Sequence, residues 1–91
     1  MPTTRVQVIN EVGLHARPAS LFVQKANEFE AEIEVCNATS GSDWMDAKSI
    51  LSVLMLAVHK DHFVELRAEG VDATQAIEAL KALIESDFGG A

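Results

Sequence analysis

At 91 residues with 48% hydrophobic side chains, the chain can bury one core without disulfide or metal staples and is too apolar for a disordered segment. Its net charge of −7 comes from 14 acidic against 7 basic residues, with no basic run and no tyrosine, which argues against a nucleic-acid partner. No apolar run reaches membrane-spanning length, because the longest, residues 50–58, is broken by Ser52.

In chain order, residues 4–9 alternate, with Val6 and Val8 on one face and Arg5 and Gln7 on the other, which predicts a half-buried strand. Asn10, Glu11, Val12 and Gly13 read as a turn, with Gly13 free to take a positive φ. The period then changes. Ala19, Phe22, Val23 and Ala26 share one face at helical spacing, predicting a helix from Ala16 to about Phe29. Pro18 falls in its first turn, where the missing N–H costs nothing.

Residues 32–36 alternate again, with Ile33 and Val35 inward. Residues 37–42 form a polar turn, and residues 43–46 return as a short hairpin strand. A second helix is expected over residues 49–58, with Ser49 as N-cap and Ile50, Leu51, Leu54, Met55 and Val58 as its buried face. Residues 63–69 make the last strand, with Val64, Leu66 and Ala68 inward, and Gly70 ends it. Asp72 opens a final helix, Gln75 completes a capping-box-like pair, and Ala76, Ile77, Leu80, Leu83 and Ile84 form its core stripe. Residues 89–91 are expected to be a loose tail.

The order β-α-β-β-α-β-α, with one polar face per strand and one apolar stripe per helix, predicts a single α+β domain over residues 1–91. Its architecture is an open-faced β-sandwich: an antiparallel four-stranded sheet with three helices on one face. Cys36 is alone, so no intrachain disulfide forms, and strand alternation gives it a structural role. Residues 1–7 have Arg5 but no apolar core after it, so no secretory signal is expected and the cytoplasm is the default location.

Chemistry is concentrated in Gly13-Leu14-His15-Ala16-Arg17-Pro18-Ala19, at a helix start. An imidazole is a nucleophile near neutral pH and can carry a phosphoryl group. A helix N-terminus offers unpaired N–H groups and a partial positive charge, which favour phosphate. Arg17 adds a planar fork of donors for phosphate oxygens. His59 and His62 lack a carboxylate or third histidine as a metal-ligand partner and read as a solvated turn, so no metal or cofactor is expected.

The run from Asn10 to Ala19 resembles the active-site signature of HPr, the histidine-containing phosphocarrier family of the bacterial phosphotransferase system. The run from Asp46 to Leu51 resembles the family's regulatory segment, and Ala68-Glu69-Gly70 with the helix after it resembles its C-terminal part. The resemblance implies a carrier rather than an enzyme. Enzyme I, phosphorylated from phosphoenolpyruvate, would load Nδ1 of His15, and His15 would pass the group to an enzyme IIA domain in sugar uptake. Ala16 and Arg17 would bind the phosphoryl group, and Arg17 would stabilise its charge during transfer. Ser49 matches the family serine modified by a kinase and phosphatase pair, through which a transcriptional regulator can be recruited.

The expected docking residues are Leu14, Phe22, Lys48, Val53 and Leu56, placed around His15 on a monomer. Two other roles share the pattern: a nitrogen-branch carrier, and a regulatory module acting through phospho-Ser49. The chain departs from the family at Gln24, Asn27 and Ser52, where lysines are frequent, and at Ala57 and Asp61, where glycines are common. Trp44 has no functional account at this level.

Overall fold

The computed structural model describes residues 1–90; Ala91, the last residue of the expected tail, lies outside them. The elements are β1 (Thr3–Gln7), α1 (Ala16–Ala26), β2 (Glu32–Asn37), β3 (Met45–Asp46), α2 (Ile50–Met55), β4 (Phe63–Glu69), α3 (Ala73–Glu85) and α4 (Asp87–Gly90). The strands pair antiparallel in the order β1-β4-β2-β3. Register sets Val6 opposite Val64, Val35 opposite Leu66 and Ile33 opposite Ala68, so the apolar faces of three strands form one layer. Phe22 of α1 and Leu80 and Ile84 of α3 are fully buried in the same core. The fold is the α+β open sheet that the alternation predicts.

On the uncovered face of the sheet, Arg67 Nε donates to Glu34 Oε1 at 2.7 Å across β4 and β2. The Arg67 guanidinium lies 4.1 Å from the centre of the Trp44 ring. Trp44 therefore has a structural place: it covers a cross-strand ion pair, a contact worth about 0.5–1 kcal/mol at such a half-exposed site. Cys36 is buried, and burial raises its thiol pKa, which suits an inert structural residue.

Three local expectations need correction. The second helix is six residues long, and of its expected buried face Val58, past its end, is buried while Ile50, Leu51, Leu54 and Met55 are exposed. Val53 and Leu56 are buried, at 0% and 4% exposure, whereas Leu51 and Met55 stand 66% and 67% exposed, with Ile50 and Leu54 beside them. The run is apolar on all sides, so its own periodicity does not choose a core face; packing of α2 against α1 does. Asp72 precedes α3 but does not cap it. Its carboxylate instead accepts from the N–H groups of Glu30 and Ala31 at 2.9 and 2.8 Å, and these bonds hold its pKa below the ordinary carboxylate value. Order also continues into the expected tail: α4 runs over Asp87–Gly90, with Asp87, Phe88 and Gly89 at positive φ and Phe88 buried in the core.

The turn after α2 explains two of the sequence departures. Ala57 and Asp61 adopt φ of +51° and +72°, the left-handed region in which a side chain is strained. Ala57→Gly and Asp61→Gly should each stabilise the protein by about 0.5–1 kcal/mol, since a glycine there has no Cβ penalty. Denaturant midpoints of the two variants check this; a loss of stability in both would contradict it.

Candidate functional site

His15 is the N-cap of α1, with extended backbone at φ −130° and ψ 164°. Ala16 follows at φ +51°, a conformation costing a non-glycine residue about 1–2 kcal/mol. The surroundings impose that geometry. Asn10 Nδ2 donates to the Gly13 carbonyl at 2.8 Å, and the Leu14 N–H donates to the Val58 carbonyl at 3.0 Å. Leu14 and Pro18 are buried on either side of the exposed Ala16 and Arg17, so the loop is pinned from below while its outer edge faces solvent.

The His15 ring is half-buried, and its Nε2 is buried with no hydrogen-bond partner. The ring nitrogen left to a reactant is therefore Nδ1. The N–H groups of Ala16 and Arg17 have no acceptor among the described residues, and the Arg17 side chain forms no ion pair there. A ring nitrogen, two free backbone donors and an unpaired guanidinium side chain are thus carried by three successive residues at the start of α1. That combination suits a tetrahedral anion attached to the ring.

Two histidines that the sequence suggests are only a solvated turn belong to this site. The His59 ring centre lies 5.4 Å from that of His15, tilted by 34°, and His62 stands edge-on to His59 at 5.3 Å. His62 Nδ1 accepts from the His59 N–H at 3.2 Å and from Asn37 Nδ2 at 3.1 Å, so its proton sits on Nε2. Asn37 is fully buried and uses its whole side chain. Nδ2 also reaches the Leu56 carbonyl at 3.2 Å, and Oδ1 accepts from the N–H groups of Thr39 and Ser40. Nothing in the sequence signals this linkage, because His15 and His59 are far apart in the chain and are brought together by long-range contacts such as the Leu14–Val58 hydrogen bond. No group of three or more His, Cys, Asp and Glu side chains among the described residues is arranged to hold a metal.

The docking set expected from the sequence is not on this surface. Leu14, Phe22 and Val53 have no exposure and Leu56 has 4%, so all four are core residues. The Lys48 ammonium donates to the Phe29 carbonyl at 2.7 Å, just past the C-terminal end of α1, which is roughly 16 Å of helix away from His15. Lys25 is paired with Glu28. On α2 and in the loop before His15, the apolar side chains that face solvent are Ile50, Leu51, Leu54, Met55 and Val12. Ser49 caps α2, its hydroxyl accepting from the Ser52 N–H at 3.3 Å. Since the loop after α2 meets the start of α1, and Lys48 meets its end, the two helices run antiparallel. Ser49 and His15 therefore lie at opposite ends of the helix pair.

Comparison with known proteins follows the same residues. The family profile described as "PTS HPr component phosphorylation site" matches residues 2–86. The chain is 38% identical to phosphocarrier protein HPr of Neisseria meningitidis serogroup A over 84 residues, covering 92% of this chain and 91% of that one. It is 40% identical to the HPr-like protein Crh of Halalkalibacterium halodurans, covering 96% of this chain and all of that protein. The crystal structure of HPr from Thermoanaerobacter tengcongensis superposes with a TM-score of 0.92 at 44% identity, covering 98% of this chain and 97% of that one.

Proposed function

This chain belongs to the HPr family of phosphocarriers of the phosphotransferase system, and from that membership we propose that it takes a phosphoryl group from phosphorylated enzyme I onto Nδ1 of His15 and delivers it to an enzyme IIA domain in sugar uptake. The protein is a carrier and not itself a catalyst. The observation that carries the residue assignment is the His15 ring itself: Nε2 is buried without a partner beside free N–H groups of Ala16 and Arg17.

In the loading step the Nδ1 lone pair forms a bond to phosphorus as the donor's bond to phosphorus breaks. The electron pair of the broken bond stays with the donor's leaving atom, and no redox change occurs. Charge on the phosphoryl oxygens is met by the Arg17 guanidinium and the two backbone N–H groups, so the site aligns and neutralises rather than activates. Unloading is the same displacement in reverse, with the acceptor's nucleophile in place of His15. No described helix is long and apolar enough to cross a membrane, and we place the reaction in the cytoplasm.

Docking falls to the exposed face of α2. Leu51 and Met55 are two-thirds exposed, more than a carrier's stability requires. The double variant Leu51→Ser, Met55→Ser should raise the KM of enzyme I for this protein about tenfold, consistent with loss of two apolar anchors, and leave its melting temperature unchanged. An unchanged KM would place the docking surface elsewhere.

The function is tested by incubating the protein with enzyme I, phosphoenolpyruvate and magnesium and reading its intact mass. One acid-labile phosphoryl group is expected; no gain in mass would overturn the carrier reading. A second reading, regulation through phospho-Ser49, is favoured by the cap position of that serine. Modification of Ser49 by a serine kinase in a protein that enzyme I cannot load would select it.

A further inference from the structure

His59 is an exposed side chain with no hydrogen bond of its own, yet its ring lies tilted beside the ring proposed to carry the phosphoryl group. Its backbone is not free to drift. A Cβ on Gly13 would come within 2.1 Å of the Val58 carbonyl oxygen and 2.8 Å of His59 Cα, which shows how tightly the active-site loop is seated on this turn. His62 receives the His59 N–H and is itself fixed by Asn37. His59 is thus held beside His15 from two sides.

The charged neighbours define what His59 can contribute. At the start of α1 they are His15 and Arg17, and in the preceding loop Glu11. In its own turn they are Lys60, Asp61 and His62. Lys60 and Glu11 are paired at 2.8 Å and cancel each other. The Nδ1 lone pair of His62 is occupied by two N–H donors. Positions Gln24, Asn27 and Ser52 carry no charge. Beside Arg17, the side chain next to His15 that has no hydrogen bond of its own is His59.

We propose that His59 is a second phosphoryl-holding group: when His15 is phosphorylated, the His59 ring takes up a proton from solvent and sets its positive charge against the phosphoryl oxygens. A phosphoryl group brings a charge of about −1.5 to −2, enough to favour the imidazolium form of a neighbouring ring. By linkage the same interaction holds the phosphoryl group more tightly as pH falls. This rests on the reading of His15 as the phosphoryl acceptor.

The test is a partition experiment. Wild-type protein and the His59→Gln variant are mixed in equal amounts with catalytic enzyme I and a limiting supply of phosphoryl groups, and the phosphorylated fraction of each is read by intact mass. Each N–P bond formed is matched by one broken, so the ratio reports relative affinity and not rate. At about pH 6.5 the wild type should hold the group about three- to tenfold better, and by about pH 8.5 the two should approach parity. His59→Arg, which keeps its charge, should match or exceed wild type at both pH values. Parity throughout, or a preference that does not change with pH, would overturn the role of His59. If neither protein accepts a phosphoryl group, the carrier reading fails instead.

Discussion

His15→Ala should abolish acid-labile phosphorylation by enzyme I, with no phosphoprotein detectable by mass and a melting temperature within a few degrees of wild type. The size of the loss follows from the division of labour at the site. The N–H groups of Ala16 and Arg17 and the Arg17 side chain can align a phosphoryl group but cannot form a bond to it, and the other imidazole, His59, has its ring centre 5.4 Å from the ring that the donor must reach. Removing the nucleophile therefore leaves no path, whereas Arg17→Ala should leave a slow one, reduced about a hundred- to a thousandfold. The fold should tolerate the change because the His15 ring is half-exposed and makes no side-chain hydrogen bond to α1. Full loading of His15→Ala, or an acid-stable phosphate on it, would remove His15 from its assigned role.

Gly13→Ala should be the most damaging small substitution in the active-site loop, costing about 2–4 kcal/mol of stability and most of the transfer activity. Two effects act together. The backbone at Gly13 has φ +66°, which disfavours any side chain. The added methyl group would also meet the Val58 carbonyl oxygen at 2.1 Å, and that oxygen is already the acceptor for the Leu14 N–H. Because the obstacle is backbone, no rotamer change relieves it. The loop must lift, carrying Leu14 out of the core and separating His15 from His59. Denaturant unfolding and the enzyme I assay measure the two consequences; a variant with wild-type stability and activity would show that the seat is looser than this geometry.

Much of this was legible in the residues because local signals and tertiary structure agreed. The strand over residues 63–69 lies between Gly70 and a clean alternation, and it forms without a change of boundary. The candidate site could be proposed from the sequence because its residues adjoin there and each favours phosphate for its own reason. What failed had a common cause. In residues 50–58 nearly every side chain is apolar, so the pattern held no phase information, and the choice of buried face fell to contacts with α1. Asp72 looked like a cap because capping and loop-bracing use the same carboxylate, and only the path of residues 30–31 decides between them. His59 and Asn37 were invisible as site residues because their roles come from long-range contacts.

The amide of Asn37 gives the active-site turn a property that neither His15 nor His59 could supply. It stands at the end of β2 and grips both the end of α2, through the Leu56 carbonyl, and the His62 ring. Loosening the turn would strand a fully buried amide without its partners, and so would unzipping that end of the sheet. The two events are therefore energetically one, and the turn inherits the cooperativity of the whole sheet rather than the fraying of a surface loop. A phosphoryl carrier built this way meets its successive partners with a rigid template, so recognition need not spend free energy on ordering the turn afresh at each encounter.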